Sequence, residues 1–128
     1  MSFELSTRSL TRLVGVHPDL IKVVTRALEL SKVDFSVAEG LRSFDRQKQL
    51  FAEGKSRTMR SRHLTGHAVD LYPVSKAGAE WVKEDFAEVA DAMKRASKAL
   101  GIPVEWGGDW KSFVDAPHWQ LPTLAYPG

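Results

Sequence analysis

Two imidazoles and two carboxylates are the residues of this chain whose types and spacing suit catalysis at a metal. In the stretch Ser61-Arg62-His63-Leu64-Thr65-Gly66-His67-Ala68-Val69-Asp70, His63 stands seven positions before Asp70, with small residues between them. Near the C-terminus, Asp115-Ala116-Pro117-His118-Trp119 supplies a second carboxylate and a second imidazole. His63, Asp70 and His118 form a three-ligand set for zinc, whose catalytic sites leave the remaining position open to water. Asp115, three residues before His118, is placed to act as a general base and not as a ligand. The pattern predicts a small zinc hydrolase.

These side chains need elements that bring them together. Leu20, Val23, Val24, Ala27, Leu28 and Leu30 recur at helical spacing after His17-Pro18-Asp19, predicting a helix from Pro18 to Ser31. His17 at its start reads as a capping residue. Alternation from Val33 to Ala38 predicts a strand. Asp45 is expected to cap a second helix running through Phe51 and ended by Gly54. The segment from His67 to Tyr72 predicts another strand, stopped by Pro73. Strand parity then sets Ala68, Asp70 and Tyr72 on one face and His67, Val69 and Leu71 on the other. His67 is therefore expected to be structural or an outer hydrogen-bond partner.

Gly66 gives the chain freedom to turn His63 back toward Asp70. A long helix is expected from Lys83 to Leu100, with Phe86, Val89, Ala90, Met93, Ala96 and Leu100 facing inward and Gly101 ending it. Val104 to Trp106 and His118 to Leu121 are short strand candidates, the latter begun as an edge strand by Pro117. The predicted fold is α+β, with helices packed against a small antiparallel sheet, as a single catalytic domain over residues 1–128.

Composition removes several alternatives. The chain has no cysteine, so thiolate metal sites and disulfides are excluded and any metal is held by His and carboxylate. Eighteen basic and sixteen acidic residues leave a net charge of only +2, too little to argue for nucleic acid. No apolar run reaches the 18 or so residues of a membrane span. The N-terminus Met1-Ser2-Phe3-Glu4-Leu5 does not read as a secretory signal peptide. The expectation is a monomer made in the cytoplasm without a signal peptide.

Ser61-x-His63-x-x-Gly66-x-Ala68-x-Asp70, followed by Asp115-x-x-His118, resembles the signature of D-Ala-D-Ala-type zinc peptidases. The resemblance extends through Val37 to Ser43, Gln47, Gly54 to Ser56, and Glu105 to Trp110. It covers roughly Phe3 to Leu121 and is strongest to the compact phage endolysin branch, whose members cut between L-Ala and D-Glu of the peptidoglycan stem peptide. Aspartate at position 115, where many carboxypeptidase relatives carry Glu, also resembles that branch.

The resemblance implies Zn²⁺ on His63, Asp70 and His118, with Asp115 as base. It further implies Arg42 as a donor to a substrate carboxylate or to the developing oxyanion. Ser61 and Gln47 are expected to orient substrate. Trp106, Trp110 and Trp119 read as core or rim aromatics. Competing readings are a D-Ala-D-Ala carboxypeptidase with the same chemistry and a non-catalytic zinc-binding module; Asp115 and Arg42 disfavour the second, because a structural site needs neither.

Overall fold

The computed structural model describes residues 3–56, 58–74, 83–111 and 114–127. Its elements in chain order are α1 (Thr7–Arg12), α2 (Pro18–Leu30), β1 (Phe35–Glu39), α3 (Phe44–Ala52), β2 (Ala68–Pro73), α4 (Lys83–Leu100), β3 (Glu105–Trp106) and β4 (His118–Gln120). Short 3₁₀ turns at Arg62–Thr65 and Gly107–Asp109 complete the frame. The four strands form an antiparallel sheet in the order β1-β2-β4-β3. The α+β architecture is as expected.

Local chemistry accounts for the element ends. The Nδ1 of His17 accepts from the Asp19 amide, capping α2, and Pro18 fills the first helical position. Ser31 stands just past the helix and folds back on Val33, its hydroxyl donating to the Val33 carbonyl and accepting from the Val33 amide. That local turn keeps Val33 out of the sheet, so β1 begins at Phe35, two residues later than expected. Ser43, not Asp45, caps α3 by accepting from the Arg46 amide. Asp45 instead lies in the first turn, where its charge suits the helix dipole.

One face of the sheet carries the core. Leu20, Val23, Val24, Ala27 and Leu28 of α2 pack with Val89, Ala90, Ala92, Met93 and Ala96 of α4 over Phe35, Val37, Val69, Leu71, Trp119 and Leu121. Each large aliphatic chain buried here contributes about 1.5–3 kcal/mol. Leu100 departs from the helical pattern: it is 42% exposed, while Ile102 and Val104 beyond it pack on the core. The opposite face, bearing Asp70 and His118, is left for chemistry.

Helix α1, capped by Ser6, was not among the expected elements. It covers the outer edge of β1: Ser9 Oγ accepts from the Val37 amide and Arg12 donates to the Val37 carbonyl, each at 3.0 Å. At the other side, β4 corrects the edge-strand expectation. It lies between β2 and β3, and Pro117 sits before it, its carbonyl accepting from the Leu71 amide at 2.8 Å.

Gly66 closes the turn that carries His63. Its φ is +76°, and a Cβ there would lie 2.3 Å from the Gly15 carbonyl oxygen. Gly66→Ala is therefore expected to cost about 2 kcal/mol or more, from left-handed strain plus a clash with backbone that cannot swing aside. Urea denaturation of the two proteins reads this directly; an unchanged midpoint would contradict it.

Candidate metal centre and cleft

The 3₁₀ turn begins at Ser61, whose hydroxyl accepts from the His63 amide at 3.2 Å. His63 is thereby buried against the loop after β1, with Nδ1 2.8 Å from the Gly40 carbonyl oxygen. A carbonyl only accepts, so Nδ1 carries the proton and Nε2 presents a lone pair. Asp70 and His118 are direct cross-strand partners in the β2–β4 ladder. The Nε2 of His118 lies 2.8 Å from Gln120 Oε1, and Gln120 Nε2 donates to Glu105 at 3.3 Å. Gln120 therefore accepts from His118, leaving Nδ1 as the free nitrogen.

Three atoms able to offer a lone pair to a cation now face one another. His63 Nε2 is 3.2 Å and His118 Nδ1 3.5 Å from the same Asp70 Oδ1, and one ligand atom from each residue lies within 4.8 Å of the others. A tetrahedral ion with bonds of about 2.0–2.2 Å separates its donors by about 3.3–3.6 Å. Three converging lone pairs repel unless a proton or a cation lies among them, so the donor set fits a divalent metal. Burial opposes ionisation of Asp70, but hydrogen bonds with His118 and His63 and their charges outweigh it and hold the carboxyl well below its usual range. Burial likewise disfavours charged His118, yet its bonds to Asp70 and Gln120 raise its pKa overall. The site attracts positive charge.

Arg42 borders this centre. Its Nη2 is 3.9 Å from Asp70 Oδ2, its Nε donates to Glu39 at 3.0 Å, and its Nη1 donates to Gln47 at 2.7 Å. Glu39 comes to the cleft through an irregularity in β1 between Val37 and Glu39, which sets it opposite Asp70. Gln47, expected to touch substrate, is fully buried behind Arg42, its amide nitrogen donating to Ser56 Oγ and the Thr58 carbonyl. It acts as a support for the guanidinium.

Asp115 lies in the turn before β4, with its amide donating to the Gly107 carbonyl at 2.9 Å. It lines the same cleft as Asp70 and His118 without joining the ligand cluster. Burial, and then the charge of Asp70, raise its pKa against the pull of His118, His63 and Arg42. Trp110 also lines the cleft, its ring centroid 5.1 Å from that of His118. Trp119 is buried in the core, and Trp106 stacks on it. His67 turns away as parity requires, bonding Thr65 and packing near His17.

Residues 1–121 match the family model described as phage L-alanyl-D-glutamate peptidase. The chain belongs to this family. The L-alanyl-D-glutamate peptidase of Escherichia phage T5 is 38% identical over 132 residues, covering 100% of this chain and 96% of the phage protein. The peptidoglycan L-alanyl-D-glutamate endopeptidase CwlK of Bacillus subtilis is 32% identical over 129 residues, covering 83% of this chain and 73% of its own. The crystal structure of the Serratia marcescens L-Ala D-Glu endopeptidase ChiX superposes with a TM-score of 0.92 at 47% identity, over 99% of this chain and 96% of that one.

Within this L-alanyl-D-glutamate peptidase fold, three site residues had no reading of their own in the sequence. Glu39 and Gln120 act by fixing Arg42 and His118. Gly40 contributes only its carbonyl, on His63. Glu39 had a signal, a carboxylate three residues before Arg42, and Gln120 shares strand parity with His118. The Gly40 carbonyl had none, because a backbone acceptor leaves no residue type to read.

Proposed function

We propose that this protein is a zinc-dependent endopeptidase that cuts the L-Ala–D-Glu bond of the peptidoglycan stem peptide, in the manner of a phage endolysin. The observation that carries the reading is the convergence of His63 Nε2, Asp70 Oδ1 and His118 Nδ1 at the floor of a cleft that Asp115 and Arg42 also line. It is supported by relatives named for that bond, one of them 38% identical over the whole chain. No helix among the described residues is long and apolar enough to cross a membrane.

His63, Asp70 and His118 would hold the zinc, which when bound would supply Lewis-acid polarisation of the scissile carbonyl and acidify an attacking water. Asp115 would take a proton from the attacking water as it adds to the carbonyl carbon, then give it to the departing amine of D-glutamate. Arg42 donates to the oxyanion from a guanidinium held by Glu39 and Gln47, so little reorganisation is needed when charge develops. Gly40 and Gln120 hold the two imidazoles in the tautomers that face Asp70.

Purified peptidoglycan digested with the protein should release new N-terminal D-glutamate and new C-terminal L-alanine. Chelation should stop the release and added Zn²⁺ restore it. Release of D-alanine instead would establish the carboxypeptidase reading, and zinc binding with no release would establish the non-catalytic one.

A further inference from the structure

We infer that the wall of the cleft formed by Arg46, Lys55 and Arg60 is a carboxylate-selecting subsite that recognises the anionic part of the peptide substrate. The inference rests on the proposed L-Ala–D-Glu activity and adds what that activity selects. The cleft encloses about 700 Å³, far more than a metal and one peptide bond require. Its lining is divided by charge. The acidic residues that line it, Glu39, Asp70 and Asp115, cluster about the metal centre and Arg42. The lining also includes Arg46, Leu50, Lys55, Ser56, Thr58 and Arg60, and every ionisable side chain in this group is a cation.

This wall is tied to the reacting centre by one buried amide. Gln47 accepts from Arg42 on one side and donates to Ser56 and the Thr58 carbonyl on the other. The loop bearing Lys55 and Arg60 is further fixed by the Lys55 and Ser56 amides, which donate to the Leu50 carbonyl at 2.9 and 3.2 Å. Thr58 Oγ1 accepts from the Arg60 amide at 2.9 Å. Arg46 is the neighbour of Gln47 on α3. The backbone at Lys55 and Arg60 and the helix bearing Arg46 are thus tied to the residues around Arg42.

Their local partners leave them available. Arg46 donates to the neutral side chain of Gln49 at 3.0 Å. Lys55 pairs with Glu53 at 3.3 Å, with both side chains at least 40% exposed, a pairing of little strength. Among the described residues, Arg60 has no charged partner within ion-pair distance. A glutamate that continues a chain uses one of its two carboxyl groups, so the residue after the cut bond keeps a free carboxylate. Guanidinium forks suit that group in two-bond geometry, and a cleft wall of one sign concentrates an anionic substrate.

The test uses two synthetic stem peptides that differ only in that free carboxylate, present in one and converted to a carboxamide in the other. Zinc-loaded wild type is compared with the triple variant Arg46→Gln, Lys55→Gln, Arg60→Gln; all three side chains are exposed, so the fold should survive, which circular dichroism checks. Wild type should favour the carboxylate peptide by about tenfold or more in kcat/KM, chiefly through KM. The triple variant should lose that preference, its ratio falling toward one, and Arg46→Lys with Arg60→Lys should keep only part of it, because an ammonium keeps the charge without the two-bond fork. Equal cleavage of both peptides by wild type, or an intact preference in the triple variant, overturns the subsite while leaving the peptidase reading standing. Wild type cutting neither peptide overturns the peptidase reading, and the subsite falls with it.

Discussion

His118→Ala should lose metal and activity together. In the proposed centre His118 would supply one of three donor atoms, and its Nδ1 is held toward Asp70 by the Nε2–Gln120 bond. Removing it leaves His63 and Asp70, two donors where a stable catalytic site needs three. Loss of even an outer hydrogen-bond partner weakens metal sites by about 10–100-fold, so loss of a ligand should exceed that. The fold should persist, because His118 faces the cleft while its neighbour Trp119 fills the core. Metal analysis after dialysis, with hydrolysis of peptidoglycan measured on the same sample, checks the claim. A variant that keeps stoichiometric zinc would remove His118 from the ligand set.

The residues that make this prediction possible were legible in the sequence because parity is a local rule. Asp70 had to share a face with Ala68, and that face had to oppose Val69 and Leu71, whose burial fixes the register. Helices α2 and α4 were legible for a similar reason, since their apolar stripes repeat every turn. The limits appear where long-range contacts decide. Helix α1 has six residues, too few to be stable alone, and it is held by Ser9 and Arg12 on the backbone of Val37, 28 and 25 positions away. The placing of β4 between β2 and β3 depends on pairing that no single segment encodes.

The candidate site divides in the same way. Residue types pointed to the candidate ligands and Asp115, whereas the groups that support them depend on three-dimensional proximity. Gln47 shows the difference. Its polar type suggested a substrate contact, yet it is fully buried, and all its amide bonds go to Arg42, Ser56 and Thr58. A buried amide is tolerated only when satisfied, so its position records the network around Arg42 and not the substrate. The choice of Nε2 on His63 and Nδ1 on His118 likewise follows from Gly40 and Gln120, neither of which carries a metal ligand.

Asp115→Asn is the sharper mutation, because it separates chemistry from metal binding. Asp115 lines the cleft outside the three-atom cluster, so the amide should leave the zinc content near that of wild type. The substitution preserves size and the backbone bond to Gly107, so the turn before β4 should also hold. What disappears is the basic lone pair that accepts a proton from the attacking water and returns it to the leaving amine. A positioned acid–base group contributes about 10²–10⁴-fold, and kcat should fall by that factor. The loss should fall mainly on kcat and not on KM, since the proton is transferred only as the transition state forms. Asp115→Asn and His118→Ala therefore resemble each other in inactivity and differ in zinc. If Asp115→Asn turns over peptidoglycan near the wild-type rate, another group is the base; if it loses its zinc as His118→Ala does, Asp115 is a ligand and the division of roles in this cleft is wrong.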